Sequence, residues 1–241
     1  MPDFLVSLFS ALAQLPEVLA GMVSTVAGAM PWLLAGAGVT IVTVVVSLFI
    51  GFVLGIPMAV FQVYGGKWVQ KTMGLYVWFF RGVPILVLLY LFYFGIAYQM
   101  GLDFTPFMAS CLVLGLTSTA YQSQIFRGAI QGLHQGQSKA ATALGMSRTT
   151  TIVTIILPQA LRQSIPAWSN EFSILLKDSA LVSVLGTMDL MARTKAIATS
   201  TTEYTAFYVA AALLYFIITH AGNTTLRLVE RRFSIPGFTK R

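Results

Sequence analysis

Apolar residues along this chain fall into long blocks separated by short polar intervals, and the blocks predict helices. The first block covers residues 33–63, with Pro31 near its start, where a missing amide hydrogen costs a helix little. It is longer than a bilayer core requires, so the helix is expected to tilt or protrude. Within it Gly51 and Gly55 form a small-xxx-small pair that would let another helix approach closely. Lys67 and Lys71 close this block, and a second runs over 73–97. A short interval with Asp103 and no Lys or Arg leads to a third block, 104–130, which carries Arg127 near its end. A fourth begins near 152, is interrupted by Pro158 and Pro166, and reaches 185 in broken form. A connector with Asp189, Arg193, Lys195 and Glu203 precedes the fifth, 204–228. Runs of about 20 apolar residues are what a hydrocarbon core of roughly 30 Å asks of a helix. The pattern therefore predicts an all-α membrane protein with about five transmembrane helices. Residues 1–31 read as an interfacial segment on the N-terminal side, 32–232 as the membrane domain, and 233–241 as a tail. The first of these is broken by Asp3, Gln14, Pro16 and Glu17 and lacks a basic start, so it does not read as a cleaved leader.

Composition agrees with the pattern: 56% of residues are hydrophobic and 10% charged, outside the range of soluble domains. The net charge of +7 does not point to nucleic acid, because the cations sit at the ends of apolar blocks rather than on one face. They orient the chain instead. With the N-terminus outside, ten cations face the cytoplasm: Lys67, Lys71, Arg127, Lys139, Arg148, Arg227, Arg231, Arg232, Lys240 and Arg241. Only Arg193 and Lys195 are then outside, while Arg81, Arg162 and Lys177 lie in or near spans. The positive-inside rule selects this arrangement, with a cytoplasmic C-terminus.

The sequence offers little for catalysis. It has no Gly-x-x-x-x-Gly-Lys-Ser/Thr phosphate cradle, and His134 and His220 have no cysteine or carboxylate at metal-ligand spacing. No catalytic triad is legible, and Cys111, the single cysteine, reads as a small buried hydrophobe. No enzyme activity, metal or bound cofactor is expected of this chain.

The interval 134–150 is different. It reads Gly136-Gln137-Ser138-Lys139-Ala140-Ala141-Thr142-Ala143-Leu144-Gly145-Met146-Ser147, and Leu157-Pro158-Gln159-Ala160-Leu161-Arg162 follows. Farther on come Ile165-Pro166 and Asn170-Glu171-Phe172-Ser173 through Lys177-Asp178-Ser179-Ala180-Leu181, and upstream Phe80-Arg81-Gly82-Val83-Pro84 and Ile125-Phe126-Arg127-Gly128. In this order and at this spacing, over residues 33–232, the chain resembles permease subunits of bacterial ABC importers, in the polar-amino-acid branch (histidine, glutamine, arginine or glutamate). The resemblance implies the type I importer permease fold in the bacterial inner membrane. It implies a cytoplasmic coupling helix at Gly136, Gln137, Lys139, Ala140, Ala141, Leu144, Gly145 and Met146 that receives motion from a separate ATPase dimer, which would bind the ATP and Mg. Small side chains there suit close docking in a partner's groove; read without the resemblance, the interval is an ordinary loop between two helices. It also implies a solute-binding protein on the outer face and a second permease subunit. Lys139 and Gln124 stand where that family usually has Glu, which would fit a pair of unlike permeases, an identical pair being the alternative. Permeases for another solute, such as an opine, differ only in pathway residues. A secondary transporter, the remaining alternative, would usually show inverted repeats, and none is visible.

Ionisable groups inside spans are costly and face partners or cavities. Glu171, Asp178 and Ser179, beside Asn170 and near two prolines, are therefore expected along a solute path, with Asp178 or Glu171 meeting a substrate ammonium. The other reading is an interhelical brace. Arg81 could hold a carboxylate in bidentate fashion, or serve structurally by binding carbonyls freed at Gly82 and Pro84 or by pairing with Glu171 or Asp178. Gln122 and Gln124, with Tyr121, form a polar patch that could line the same path.

Overall fold

A computed structural model describes residues 2–233, and among them every regular element is helical. Helix α1, Pro2–Tyr64, runs without a break and holds Pro16, Pro31 and Pro57 inside it. The expected boundary at 31–32 is thus not marked by the backbone, and Pro31 does not start a helix. The tail residues 234–241, with Lys240 and Arg241, lie outside the described residues.

Helix α2, Lys67–Gly82, and helix α3, Ile85–Tyr90, with its π-helical continuation Leu91–Ala97, replace the straight second span expected over 73–97. The two halves meet at 105°. The cause lies in Gly82-Val83-Pro84. Val83 is extended at φ −93°, ψ 131°, as a residue before proline prefers, and Pro84 has no amide to continue the ladder.

Helix α4, Pro106–Gly132, matches the third block closely. Thr105 caps it by accepting the Met108 amide at 3.2 Å, and Pro106 opens the first turn. Helix α5, Gln135–Ala143, occupies the polar interval. Helix α6, Arg148–Thr151, leads through a π-helical turn, Ile152–Ile156, into α7, Leu157–Asp178, and a 3-10 turn, Ser179–Leu185. Neither proline breaks this run as expected. Pro158 sits in the first turn of α7, just after the π turn, and Pro166 is carried within the helix. Neighbouring helices can absorb such a defect at membrane depth. The connector is not a loop: Leu190–Thr201 forms α8, with Asp189 as its cap. Helix α9, Tyr204–Phe233, ends the described chain.

By length and composition, Ala20–Tyr64 and Tyr204–Arg232 can each cross a membrane, and the bent α2–α3 pair makes a third candidate. Helix α4 is long enough but more polar, and it is the central element, packed against α1, α2, α3 and α7. Along α1, the residues Thr40, Thr43, Ser47, Gly51, Gly55 and Ala59 form a buried, small-residue stripe. Hydrocarbon offers no hydrophobic drive for helix pairing, so close packing of small side chains must supply it. A Cβ on Gly51 would overlap the Gln122 amide nitrogen, and one on Gly55 would come within 3.2 Å of Gln122 Cβ. The glycine pair therefore sets the α1–α4 approach. Gly115 of α4 plays the same part opposite Ile50, whose side chain lies 2.9 Å from where a Cβ would be.

Candidate functional site

Two groups of residues stand out, one inside the helix bundle and one at its α5 end.

The inner group starts from that close approach. Gln122 is fully buried, and its amide nitrogen donates to the Leu48 carbonyl and to Ser118 Oγ, both at 3.0 Å. Its carbonyl oxygen accepts from Trp168 Nε1 at 2.7 Å. Ser118 Oγ in turn donates to Glu171 Oε1 at 2.9 Å, and Glu171 is only 4% exposed. One continuous network thus ties α1, α4 and α7 together and satisfies groups that would be expensive to leave unpaired in low dielectric. Arg81 approaches from α2, with its guanidinium 4.9 Å from the centre of the Tyr121 ring.

A second polar group lies farther along α4. Gln124 donates to Gln62 Oε1 at 2.7 Å, Gln62 faces Ser123 Oγ at 3.5 Å, and Arg127 reaches Gln124 Oε1 at 3.5 Å. Gln124 thus links the neutral Gln62 amide to the Arg127 cation, with no carboxylate in the group.

The residues expected along a solute path therefore divide. Gln122, Glu171 and Ser179 are withdrawn from the surface, and Ser179 spends its hydroxyl on the Leu176 carbonyl at 2.7 Å. Gln122 and Glu171 brace helices in this conformation, while Ser179 bonds within its own segment. Arg81 and Asn170 are exposed, while Gln124 and Asp178 are half-buried. Arg81 lies over an aromatic ring rather than capping carbonyls freed at Gly82 and Pro84. Sequence reasoning missed Ser118, Trp168 and Gln62. Trp168 was findable only as a polar-edged aromatic between Pro166 and Asn170, because its partner is 46 positions away.

The outer group is α5 and its exit. Ala141 is buried and seats the helix, while Gly136, Gln137, Lys139, Ala140, Leu144 and Gly145 are exposed and Met146 is half-buried. Leu144 is 82% exposed, an unusual position for a large apolar side chain in an otherwise polar helix. The helix stops at Gly145, whose φ of +75° suits glycine. The Gly145 amide donates to Thr142 O and the Met146 amide to Ala141 O, both at 3.0 Å. This paired bonding satisfies two carbonyls that the helix end would leave open. Ser147 then starts α6 by accepting the Thr150 amide at 3.2 Å. Arg148 fixes the segment to the end of α1, donating to the Tyr64 carbonyl at 3.1 Å and lying 5.5 Å from the Tyr64 ring centre.

On the connector, Asp189 is buried and caps α8 by accepting the Ala192 amide at 2.9 Å. Burial pushes its carboxyl up to about 6, opposed by amides at the start of the helix. The next amide, of Leu190, donates to Thr40 Oγ1 on α1 at 3.1 Å. Arg193 stacks on Trp32, 4.1 Å from the ring centre, so α8 is fastened to α1 from both ends of its first turn.

Comparison with known proteins gives this geometry a context. The family model described as "binding-protein-dependent transport system inner membrane component" matches residues 51–235. An arginine ABC transporter permease protein of Haemophilus influenzae is 36% identical over 196 residues, covering 79% of this chain and 88% of that protein. An octopine transport system permease protein of Rhizobium meliloti is 35% identical over 211 residues, covering 83% and 89%. Among solved structures, that of an amino acid ABC transporter with histidines superposes with a TM-score of 0.78 at 33% identity, covering 86% and 96%.

Proposed function

This chain belongs to the binding-protein-dependent transport system inner membrane components, and from that premise we propose that it carries a polar amino acid across the bacterial inner membrane. Family membership makes it the membrane subunit of an ABC importer that works with a binding protein and an ATPase subunit, which hydrolyses the nucleotide. The proposal adds the solute class, the orientation and the residues.

In this reading α5 faces the cytoplasm and seats in a groove of the ATPase, with Leu144 as the apolar anchor and Ala140 permitting close approach. The observation that carries it is the presentation of α5, which the fold holds through Ala141 while leaving Leu144 in the open. Movement of α5 passes to α1 through the Arg148–Tyr64 contact and to α7 through the π turn that follows α6. ATP-driven closure of the nucleotide-binding subunits selects the outward-open arrangement, and binding-protein and ATPase affinities are reciprocally linked. Two permeases enclose the path. Unlike partners are favoured, because Lys139 and Gln124 are not acidic here. The solute's carboxylate is read by Arg81 and its ammonium by Asp178, both near the Glu171 brace.

A polar amino acid is supported by the arginine permease and the amino acid transporter structure among the relatives, while the octopine permease supports the opine alternative. The test is uptake into proteoliposomes containing the whole transporter, with labelled arginine, glutamine, histidine, glutamate and octopine each supplied on the binding protein. ATP-dependent accumulation of one of the amino acids is the expected result. Accumulation of octopine alone would move the solute class to opines, and uptake without ATP would overturn the importer reading.

A further inference from the structure

At the α5 end, beside the Tyr64–Arg148 contact, the last turn of α1, the first turns of α2 and the end of α4 enclose a pocket of about 360 Å³. Gln62, Lys67, Gln70, Lys71, Gly74 and Arg127 line it. Three of the six are cations and none is a carboxylate, so the pocket is strongly biased towards an anion. Helix α2 also begins at Lys67, one of the lining cations, after Gly66 and with no side-chain cap. Gln70, which lines the pocket, donates its side-chain amide to the Gly65 carbonyl at 3.0 Å.

A second pocket, of about 460 Å³, adjoins the first and shares Lys71 and Gly74 with it. Its character is opposite. Trp68, Leu75 and Trp78 form its apolar wall, with Trp68 81% and Trp78 72% exposed. Trp68, Lys71, Leu75 and Trp78 fall on one face of α2 at helical spacing, and space is open over Gly74, where a Cβ would meet nothing within 4 Å. Lys71 stands at the junction, its ammonium 5.8 Å from the centre of the Trp68 ring. An anion-selective cavity continuous with an exposed aromatic and aliphatic strip matches a molecule with a phosphate at one end and a hydrocarbon chain at the other. Free inorganic phosphate would leave the strip uncovered, and a neutral lipid would leave the cations unpaired.

We infer that the junction of α1, α2 and α4 binds an anionic phospholipid, with its phosphate held by Lys67, Lys71 and Arg127 and an acyl chain along Trp68, Leu75 and Trp78. This rests on the membrane reading of the chain and not on the identity of the solute, nor on which face is cytoplasmic. The occupant would lie at the Gly65-Gly66 break between α1 and α2, next to the Tyr64 end of α1 that Arg148 holds.

The test uses the intact transporter with its ATPase, delipidated in detergent and titrated with phosphatidylglycerol or phosphatidylcholine under native mass spectrometry. The expected result is at least a tenfold preference for phosphatidylglycerol at one site per copy of this chain. The double variant Lys67→Gln/Lys71→Gln should reduce that preference to within twofold. Trp78→Ala should weaken phosphatidylglycerol binding while leaving displacement by millimolar inorganic phosphate as ineffective as in the parent. Both changes are on exposed side chains, and thermal unfolding of each variant reports whether the fold is intact. Equal binding of the two lipids by the parent would overturn the proposal, as would an undiminished preference in the double variant. Displacement of phosphatidylglycerol by inorganic phosphate at millimolar concentration would reduce the site to a free-anion pocket. Loss of permease pairing in Trp78→Ala, with lipid binding unchanged, would assign the strip to a subunit contact.

Discussion

Gly51 shows how a single missing methyl can position a network. Its lack of a side chain lets the Gln122 amide reach the Leu48 carbonyl, and that amide also anchors Ser118, which holds Glu171. Gly51→Ala should push α1 from α4 and cost about 1–3 kcal/mol, as overpacking in a dense interior does. The check is the melting temperature of the detergent-solubilised protein, which should fall, and fall further with Gly51→Leu. The close approach of Gly51 was legible from the small-xxx-small spacing, but its target was not, because Gln122 is 71 positions away and sequence proximity carries no information on that pairing. Glu171 illustrates the opposite limit. A carboxylate in an apolar run announces a partner or a cavity, and only the fold shows that Ser118 is that partner. Asp189 makes a separate prediction. Its folded-state value near 6 lies above the ordinary 3.8, so between these values the folded chain holds more protons than the unfolded one. Its contribution to stability is therefore greatest at low pH and is lost as pH rises from about 4 to 6. Asp189→Asn keeps an oxygen to accept the Ala192 amide and should flatten that part of the profile of melting temperature against pH. An unchanged slope between pH 4.5 and 6.5 would contradict this account of the connector.

Among the elements, α4 was legible as an apolar block and the interval around α5 as small polar residues between two such blocks. The stop at Gly145 and the restart at Ser147 are local features that the sequence reading did not use. Replacing Gly145 with valine puts a β-branched residue at φ +75°, a strain of about 1–2 kcal/mol or more, and should loosen the junction between α5 and α6. Membrane insertion should be normal while ATP hydrolysis proceeds without uptake; normal uptake per ATP hydrolysed would count against α5 as the transmitting element. The second and fourth blocks were harder. Hydropathy reads 73–97 as one straight span, because it registers apolarity and not direction, yet Gly82-Val83-Pro84 turns the backbone by 105°. Pro166 erred the other way. It removes one helical hydrogen bond, but packing of α7 on α4 and α9 holds the helix through it. At Gly222 of α9 a Cβ would overlap the Phe172 ring of α7, a contact that pins the two helices closely. The connector helix α8 escaped notice for a simpler reason: its charges and hydroxyls suit a solvated loop equally well, and its cap is a lone Asp.

At the scale of the molecule, α4 forms the core, α1 runs along it through a stripe of small residues, and the bent α2–α3 pair, α7 and α9 pack around them. Large apolar side chains face outward over α1, α2 and α9, as lipid and partner subunits require. Fold class and family were legible in the sequence because long apolar blocks and ordered motifs are properties of the chain itself. The division of the polar residues between brace and path was not, since burial is decided by elements brought together from across the chain. In the proposed function, motion enters the permease through α5, with Leu144 as its anchor. It is tested most directly by ATPase activity of the full transporter in nanodiscs, with and without loaded binding protein, for the parent and Leu144→Asp. A charge on an apolar anchor should cost about 2 kcal/mol of docking. Loaded binding protein should strongly stimulate the parent and not Leu144→Asp, with the permease still inserted and equally stable. Full stimulation in the variant would contradict it.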